Sequence, residues 1–267
     1  MKPFNRFSGK KKKHKLIDKR GVKFYNKIII YNNYAGECIV RAQWEEQKMI
    51  KISELYDLNH TIAKDYLLSF TYPFEALKGI KDLIISLIDT LDKNEYYSPE
   101  ENVFIHKTAK VAKTAYIGAP CIIGANTEVR HGAFIRGSAL VGENCVVGNS
   151  VELKNVILFD NVQTPHYNYV GDSILGYKAH MGAGSITSNV KSDKSLVVIK
   201  NGDEKIETGI KKVGAFLGDF AEIGCNSVLN PGTVIGRNSS VYPTSCVRGV
   251  VPENSIYKGK GNIVKRV

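Results

Sequence analysis

The chain has 267 residues, and 37 lysines and arginines against 26 aspartates and glutamates give a net charge of +11. Apolar residues make up 43% of it and charged residues 24%, which is ordinary for a globular protein and excludes a wholly disordered chain. No apolar run is long enough for a membrane-spanning helix, and no apolar stretch of a secretory signal follows the basic start. The five scattered cysteines contain no C-x-x-C pair, so we expect a reduced, cytoplasmic protein without a disulfide or zinc framework.

The positive charge is concentrated in residues 1–27. This segment holds eleven lysines and arginines and one acid, Asp18, so it carries a net +10. The lysine run at 10–13 is typical of segments that bind nucleic acid or an anionic surface. We favour the simpler interpretation, a solvated and flexible N-terminal segment.

Residues 28–100 predict a small α/β region. Short β-like runs at 28–30 and 38–40 precede a helical stretch over residues 53–95. After Pro73, which can begin a helix, apolar residues recur at spacings of three and four. They are Phe74, Leu77, Ile80, Ile84, Leu87, Ile88 and Leu91. One apolar stripe of this kind indicates a helix that packs the region against the rest of the chain.

From residue 103 the apolar residues follow a period of six. Ten of them keep this spacing: Ile105, Val111, Ile117, Ile123, Val129, Ile135, Val141, Val147, Leu153 and Phe159. Ten in register would arise by chance about once in 10⁴ to 10⁵ sequences, given ordinary apolar content. The period returns at Tyr169, Leu175 and Met181, and again at Leu217, Ile223, Leu229, Ile235, Val241 and Val247.

A six-residue period indicates a parallel β-helix. Each unit is a short strand and a turn, and its large aliphatic residue stacks inside on its counterpart in the next coil. A small or β-branched residue four positions later fills the remaining interior. Cys121 and Cys145 fall on these small positions. We therefore interpret both as core residues and not as nucleophiles.

This pattern resembles the hexapeptide-repeat acyltransferases, whose fold is a left-handed parallel β-helix. In that family three hexapeptides form one triangular coil. The resemblance implies a mainly β protein with six to seven coils over residues 101–257. The run 251–256 and the Gly/Lys-rich residues after it are similar to that family's exit from the helix, so residues 258–267 are expected to form a tail.

The repeat is interrupted twice, and function in a regular solenoid is expected at its interruptions. The first interruption is residues 163–169, where the spacing jumps from six to ten. The second is residues 188–212, where Asn201-Gly202 lies between alternating runs and predicts a hairpin. A hairpin that leaves the helix could reach over a neighbouring subunit.

Arg136 and Lys154 are separated by three periods of six, so they would stack on adjacent turns of such a coil. Two stacked cations about 4.8 Å apart repel each other unless an anion joins them. A bound phosphate and a surface salt bridge, with Glu152 as the partner, both remain open. His166 lies two faces beyond Lys154, at the first interruption, where it is a candidate general base or a bystander.

Four runs are similar, in order and spacing, to one group within this family. They are residues 135–136, 148–154, 166–172 and 182–189. The group is the acetyltransferase half of bifunctional N-acetylglucosamine-1-phosphate uridyltransferases and related sugar-1-phosphate enzymes. A looser likeness over residues 71–77 points to proteins labelled as related to UDP-N-acetylglucosamine pyrophosphorylase.

The resemblance implies a role for each matching position. Arg136 and Lys154 would hold a sugar phosphate, with Tyr169, His180, Asn189 and Lys194 around the sugar, the acetyl group and the phosphate. His166 would be the general base, oriented or tuned by Glu152. Acetyl-CoA would be the co-substrate, with Cys225, Pro243, Lys258 and Lys260 at its site, and no metal is implied.

The chain departs from that group in three places. His180 stands where the family usually has Asn, and Cys225 where it usually has Ser. The first hundred residues lack the Gly-rich start and the length of a nucleotidyltransferase domain, so uridylyl transfer is not expected.

The leading hypothesis is a CoA-dependent N-acetyltransferase that acts on an amino-sugar-1-phosphate or a nucleotide amino sugar. The alternative is a non-catalytic protein that keeps the sugar-phosphate pocket for binding or regulation; binding of a sugar phosphate without coenzyme A would favour it. A metal-dependent hydratase like the γ-type carbonic anhydrases would need His131, His166 and His180, whose spacing does not match that family's close His pair. The resemblance also implies a homotrimer with pockets shared between subunits.

Overall fold

The computed structural model describes residues 50–266 and, as backbone strands, three segments nearer the N-terminus. These segments are β1 (Lys12–Ile17), β2 (Lys23–Asn32) and β3 (Cys38–Glu45), which form an antiparallel sheet in the order β1-β2-β3. The runs at 28–30 and 38–40, predicted as β-like, lie in β2 and β3. Most of residues 1–27, predicted to be flexible, lie outside the described residues. The chain divides into two compact units, residues 1–49 and 50–267.

The second unit begins with short helices. They are α1 (Ile52–Leu55), α2 (Lys64–Leu68), α3 (Pro73–Ala76) and α4 (Ile80–Ile88), with 3₁₀ turns at Leu58–His60 and Leu77–Gly79. The apolar stripe predicted as one helix therefore runs through α3, a 3₁₀ turn and α4. Its residues are nevertheless core: Phe74, Leu77, Ile80, Ile84 and Ile88 are buried, and Leu87 and Leu91 are partly buried against them. No helix among residues 50–266 is long and apolar enough to cross a membrane.

Residues 103–257 form a parallel β-helix with three faces, as predicted. Face 1 contains Tyr116–Ile117, Phe134–Ile135, Ile186–Thr187, Val228–Leu229 and Cys246–Val247. Face 2 contains Val103–His106, Cys121–Ile123, Ala139–Val141, Ala215–Leu217, Thr233–Ile235 and Val250–Val251. Face 3 contains Lys110–Val111, Glu128–Val129, Val146–Asn149, Gln163–His166, His180–Met181, Glu222–Ile223, Ser240–Val241 and Ser255–Tyr257.

Two long strands, Glu152–Leu158 and Tyr169–Leu175, run through face 1 and on into face 2. Face 2 therefore has eight parallel strands, more than the six to seven coils expected. Antiparallel strands close both ends: Tyr96–Glu100 pairs with the first strand of face 2, and Ile263–Lys265 with the last strand of face 3.

The period of six fails at the corner between faces 1 and 2. In one coil of the β-helix, called a rung below, this corner holds two residues, Gly137 and Ser138. In each of the next two rungs it holds a single residue, first Asn155 and then Asp172. Leu158 and Val170 therefore continue the inward column, in place of the predicted Phe159 and Tyr169. Because the apparent jump at 159–169 is made of these short corners, the predicted first interruption is wrong: Gln163–His166 is a regular strand of face 3.

The second interruption is real, and it also leaves the helix at the corner between faces 1 and 2. It contains the predicted hairpin, with Val198–Asn201 antiparallel to Glu204–Glu207. Val197 and Ile199 are fully buried in the chain itself, beside Gly232, where an added side chain would meet both. Val197 and Ile199 thus pack on the hairpin's own helix, which covers their apolar side chains. The reach of the hairpin over a neighbouring subunit stays a prediction.

Face 2 is closed on its outer side. Its strands Cys121–Ile123 and Ala139–Val141 are buried at every position, since α4 packs across them and covers their outward residues Ile122 and Leu140. Cys121 and Cys145 are core residues, as predicted, and burial raises the pKa of each thiol to about 12. Faces 1 and 3, and the corner that joins them, remain open to a ligand.

Removal of the side chain of Ile84 tests this docking of α4. Ile84 is fully buried and its neighbour Ile85 is 39% exposed. We expect Ile84→Ala to lower the free energy of unfolding by about 2–5 kcal/mol, because it leaves a cavity, and the matched control Ile85→Ala to change it by less than about 1 kcal/mol. Chemical denaturation measures both; equal effects would show that α4 does not cover face 2.

Candidate functional site

Arg136 and Lys154 lie on adjacent rungs at the corner between faces 1 and 2, as their spacing predicted, because Ile135 pairs with Leu153. Each cation has its own carboxylate. Arg136 Nη1 lies 2.8 Å from Glu152 Oε1, and Lys154 Nζ lies 2.9 Å from Asp172 Oδ1 and 3.1 Å from Oδ2. The hydrogen bond and charge of Glu152 raise the pKa of Arg136. The structure therefore contains the salt bridge that was one alternative for this pair, and the four charges cancel. A phosphate bound here stays a prediction.

Asp172 is the centre of the larger network at this corner. Its side chain is 5% exposed, and besides Lys154 it accepts hydrogen bonds from Asn155 Nδ2 at 2.9 Å and Asn189 Nδ2 at 2.6 Å. Asn189 Nδ2 also donates to Tyr169 Oη at 3.1 Å. Burial, with the charges of Asp172 and Glu152, raises the pKa of Tyr169. Three residues assigned to the substrate from the sequence, Lys154, Tyr169 and Asn189, thus meet around one carboxylate.

Sequence reasoning missed Asp172 as a site residue, although it lies in the run 166–172 that is similar to the acetyltransferase group. The step in sequence from Lys154 to Asp172 equals the step from Arg136 to Lys154, but the spacing rule fails here. The shortened corner pairs Lys154 with Gly171 and sets Asp172 level with Asn155. The corner is also tied to the helical region, because Asn155 Nδ2 donates to the carbonyl oxygen of Leu77 at 3.1 Å.

His166 ends its strand at the other open corner, between faces 3 and 1. The imidazole is exposed and forms no hydrogen bond with any residue in the described part of the chain. Glu152, expected to orient it, is instead bound to Arg136. The structure thus places the candidate base in the open but does not pair it with its expected partner.

Backbone hydrogen bonds place His166 in a column with two of the predicted coenzyme A positions. Gly184 N donates to His166 O at 3.0 Å, Asn226 N to Ala183 O at 2.8 Å and Thr244 N to Cys225 O at 2.8 Å. The first residue of this corner, taken from one rung to the next, is therefore His166, then Ala183, Cys225 and Pro243. At about 4.8 Å per rung, Cys225 is roughly 10 Å and Pro243 roughly 14 Å from His166 along the helix. The side chains of Cys225 and Pro243 are exposed.

The predicted coenzyme A lysines lie at the end of this column. Ser255–Tyr257 pairs with Ser240–Val241, so residues 258–260 occupy the corner one rung above Pro243. Lys258 and Lys260 are exposed, and Lys258 Nζ lies 6.0 Å from the centre of the Tyr242 ring. The corner thus carries an imidazole at one level and two ammonium groups four rungs above it.

Two predicted substrate residues lie elsewhere in the chain. His180 lies on face 3, where its Nδ1 is 2.9 Å from Glu222 Oε2, so it does not meet Arg136 and Lys154 on face 1. Lys194 lies in an exposed turn of the excursion, where its backbone N–H bonds to Lys191 O. Within residues 50–266 no group of three or more His, Cys, Asp or Glu side chains could hold a metal ion.

Comparison with known proteins agrees with the resemblance seen in the sequence. No family model matches the chain. A bifunctional sugar-1-phosphate nucleotidylyltransferase/acetyltransferase of Sulfurisphaera tokodaii is 32% identical over 108 residues, which are 40% of this chain and 27% of that protein. The bifunctional protein GlmU of Methanococcus maripaludis is 33% identical over 108 residues, 40% of this chain and 26% of that protein. The chain thus spans about a quarter of the length of these relatives, and its similarity to this bifunctional group is confirmed.

The solved structures that match the chain are more distant. A perosamine N-acetyltransferase of Caulobacter crescentus, crystallised with CoA and GDP-perosamine, is 18% identical with a TM-score of 0.33, over 60% of this chain and 55% of that one. The acetyltransferase domain of PglB from Neisseria gonorrhoeae is 13% identical with a TM-score of 0.28, over 57% and 53% of the two chains.

Asp172 is expected to be a main source of stability at its corner. Asp172→Asn removes the carboxylate that binds Lys154. Because the side chain of Lys154 is 27% exposed, water partly solvates its ammonium group in place of that carboxylate. We expect the free energy of unfolding to fall by about 1–3 kcal/mol. The control Asp193→Asn breaks an exposed pair with Lys191 and should change it little. Denaturation of the two variants compares them, and equal losses would contradict the central position of Asp172.

Proposed function

We propose that this protein transfers an acetyl group from acetyl-CoA to the amine of an amino sugar that carries a phosphate, either as an amino-sugar-1-phosphate or as a nucleotide amino sugar. The observation that carries the proposal is the corner column, which sets an exposed imidazole in line with Cys225, Pro243 and two exposed lysines. The relative from Sulfurisphaera tokodaii, which is named as a sugar-1-phosphate nucleotidylyltransferase and acetyltransferase, supports it.

His166 is the general base of this reaction. Its neutral imidazole accepts a proton from the substrate ammonium, and the free amine attacks the thioester carbonyl carbon. A C–N bond forms and the C–S bond breaks. The nitrogen loses two protons in all: the imidazole of His166 passes one to the CoA thiolate, and the other is released to solvent. Transfer is direct, so no cysteine nucleophile is required, and the buried thiols of Cys121 and Cys145 have no part in it.

The substrate phosphate binds at Arg136. Because Lys154 is held by the nearly buried Asp172, Arg136 is the cation that can exchange its carboxylate partner for a bidentate phosphate. Glu152, released from Arg136, is then free to accept a hydrogen bond from His166. Tyr169 and Asn189 contact the sugar and the acetyl group, and Lys194 approaches the phosphate from the excursion.

The donor lies along the corner between faces 3 and 1. Its thioester is close to His166, its pantetheine arm passes Cys225 and Pro243, and its phosphates meet Lys258 and Lys260. These residues are exposed along one line, as a long flexible ligand requires.

The site is completed by further copies of the chain, in a homotrimer. His166 and Arg136 lie on the outside of the β-helix, so a second protein surface is needed to exclude water from the reaction there. Face 1 also exposes apolar residues suited to an interface: Tyr116 and Phe134 are neighbours on it, with ring centroids 5.4 Å apart. His180, on face 3, would reach a pocket formed with a neighbouring copy. We place the protein in the cytoplasm, where free thiols such as Cys225 are kept reduced.

Thiol release from acetyl-CoA, with a panel of glucosamine-1-phosphate, galactosamine-1-phosphate and UDP-linked amino sugars, tests this function. We expect turnover with one acceptor and a loss of about 10²- to 10⁴-fold in His166→Ala, because the base is removed. The control His106→Ala, which alters a histidine on face 2, should retain activity. Binding of a sugar phosphate without any turnover would contradict catalysis and favour the non-catalytic alternative.

A further inference from the structure

The second residue of the corner between faces 3 and 1 has a left-handed backbone on each rung from Gly132 to Lys260. These residues are Gly132, Ser150, Tyr167, Gly184, Asn226, Thr244 and Lys260, with φ between 50° and 70°. Glycine and asparagine adopt this conformation readily, whereas a bulky side chain there is an outlier. Tyr167 is the aromatic member of this set, directly after the candidate base His166.

Nothing in the described part of the chain explains Tyr167 by packing. The residue is 64% exposed, and its ring contacts no other described aromatic ring or cation. Phe220 provides a contrast, because it is also left-handed, with φ of 59°, at a different corner. The ring of Phe220 packs against Tyr177 at 5.5 Å and lies 5.8 Å from Lys178 Nζ. An unsupported aromatic residue in a strained conformation is typical of a ligand site.

Tyr167 lies at one end of a smooth strip on this corner. The two rungs above it carry small side chains: Gly182, Ala183 and Gly184 on the first, and Gly224, Cys225 and Asn226 on the second. At the far end the strip meets Tyr242, which is 47% exposed and lies beneath Lys258. The strip is therefore open for about two rungs, roughly 10 Å, between two exposed aromatic rings.

We propose that Tyr167 closes the His166 end of this strip and limits the transferred acyl group to a short one. The inference rests on the proposed function, which lays the acyl donor along the same corner. An acetyl group that reaches His166 fits above the phenol ring, and a longer acyl chain meets the ring. Tyr167 is thus a specificity-determining residue for the donor.

Calorimetric titration of the full chain with acetyl-CoA and with butyryl-CoA tests the proposal without an acceptor. We expect the wild type to prefer the acetyl ester, and Tyr167→Asn to reduce that preference by about 10-fold or more, since each methylene in an apolar site accounts for about 10- to 200-fold. Tyr167→Phe keeps the ring and should keep the preference. Phe220→Asn, the matched left-handed control, should also keep it.

Relief of the left-handed strain has its own signature. Tyr167→Asn should raise the midpoint of thermal unfolding by about 2–4 °C, because asparagine tolerates this backbone. A gain in stability together with a loss of discrimination would support the proposal. An acetyl preference that Tyr167→Asn leaves unchanged would overturn the inference alone. Failure of the wild type to bind either ester would overturn the donor site of the proposed function itself.

Discussion

The structure depends on backbone hydrogen bonds between successive parallel rungs of the β-helix. They hold corner residues one above another at about 4.8 Å, whatever their separation in sequence. Ala183 and Cys225 are far apart in sequence and still neighbours in one column, because the excursion at 188–212 leaves and rejoins the helix within a single rung. A column of exposed side chains is consequently as rigid as the ladder beneath it, which is what a catalytic group and a long donor need.

Closure of face 2 decides where a ligand can bind. Helix α4 covers its early strands, and the buried base of the excursion packs beside Gly232 further along. Both coverings also contribute to the corner between faces 1 and 2: Leu77 accepts a hydrogen bond from Asn155, and Asn189 binds Asp172. The segments outside the repeat therefore support the charged network directly.

The period of six predicted the fold, and its threefold multiple predicted the stacking of Arg136 on Lys154. The count failed at Asn155, where a two-residue corner becomes a single residue. The unbroken count consequently predicts an inward Tyr169, whereas this side chain lies on the outer side, near Asn189. A one-residue shortening leaves no mark in composition, since a left-handed Asn suits a corner of either length.

Side-chain partners were less predictable than backbone positions. Spacing brought Arg136, Glu152 and Lys154 together but could not decide which carboxylate each cation binds, because that depends on side-chain conformation. The resemblance alone places His180 at the substrate, whereas in the structure it lies on face 3, paired with Glu222. Prediction of the corner column requires the register between the strands before and after the excursion at 188–212. No sequence period extends across that segment.

Protection of Cys225 from alkylation tests the position of the donor site most directly. Cys225 and Cys246 are both exposed, whereas Cys121 and Cys145 are buried and serve as unreactive internal references. Mass spectrometry would follow the rate of iodoacetamide modification at each cysteine, with and without saturating acetyl-CoA. The account predicts that acetyl-CoA slows modification of Cys225 and leaves Cys246, on face 1, unchanged. Equal rates at Cys225 with and without acetyl-CoA would contradict a donor on this corner.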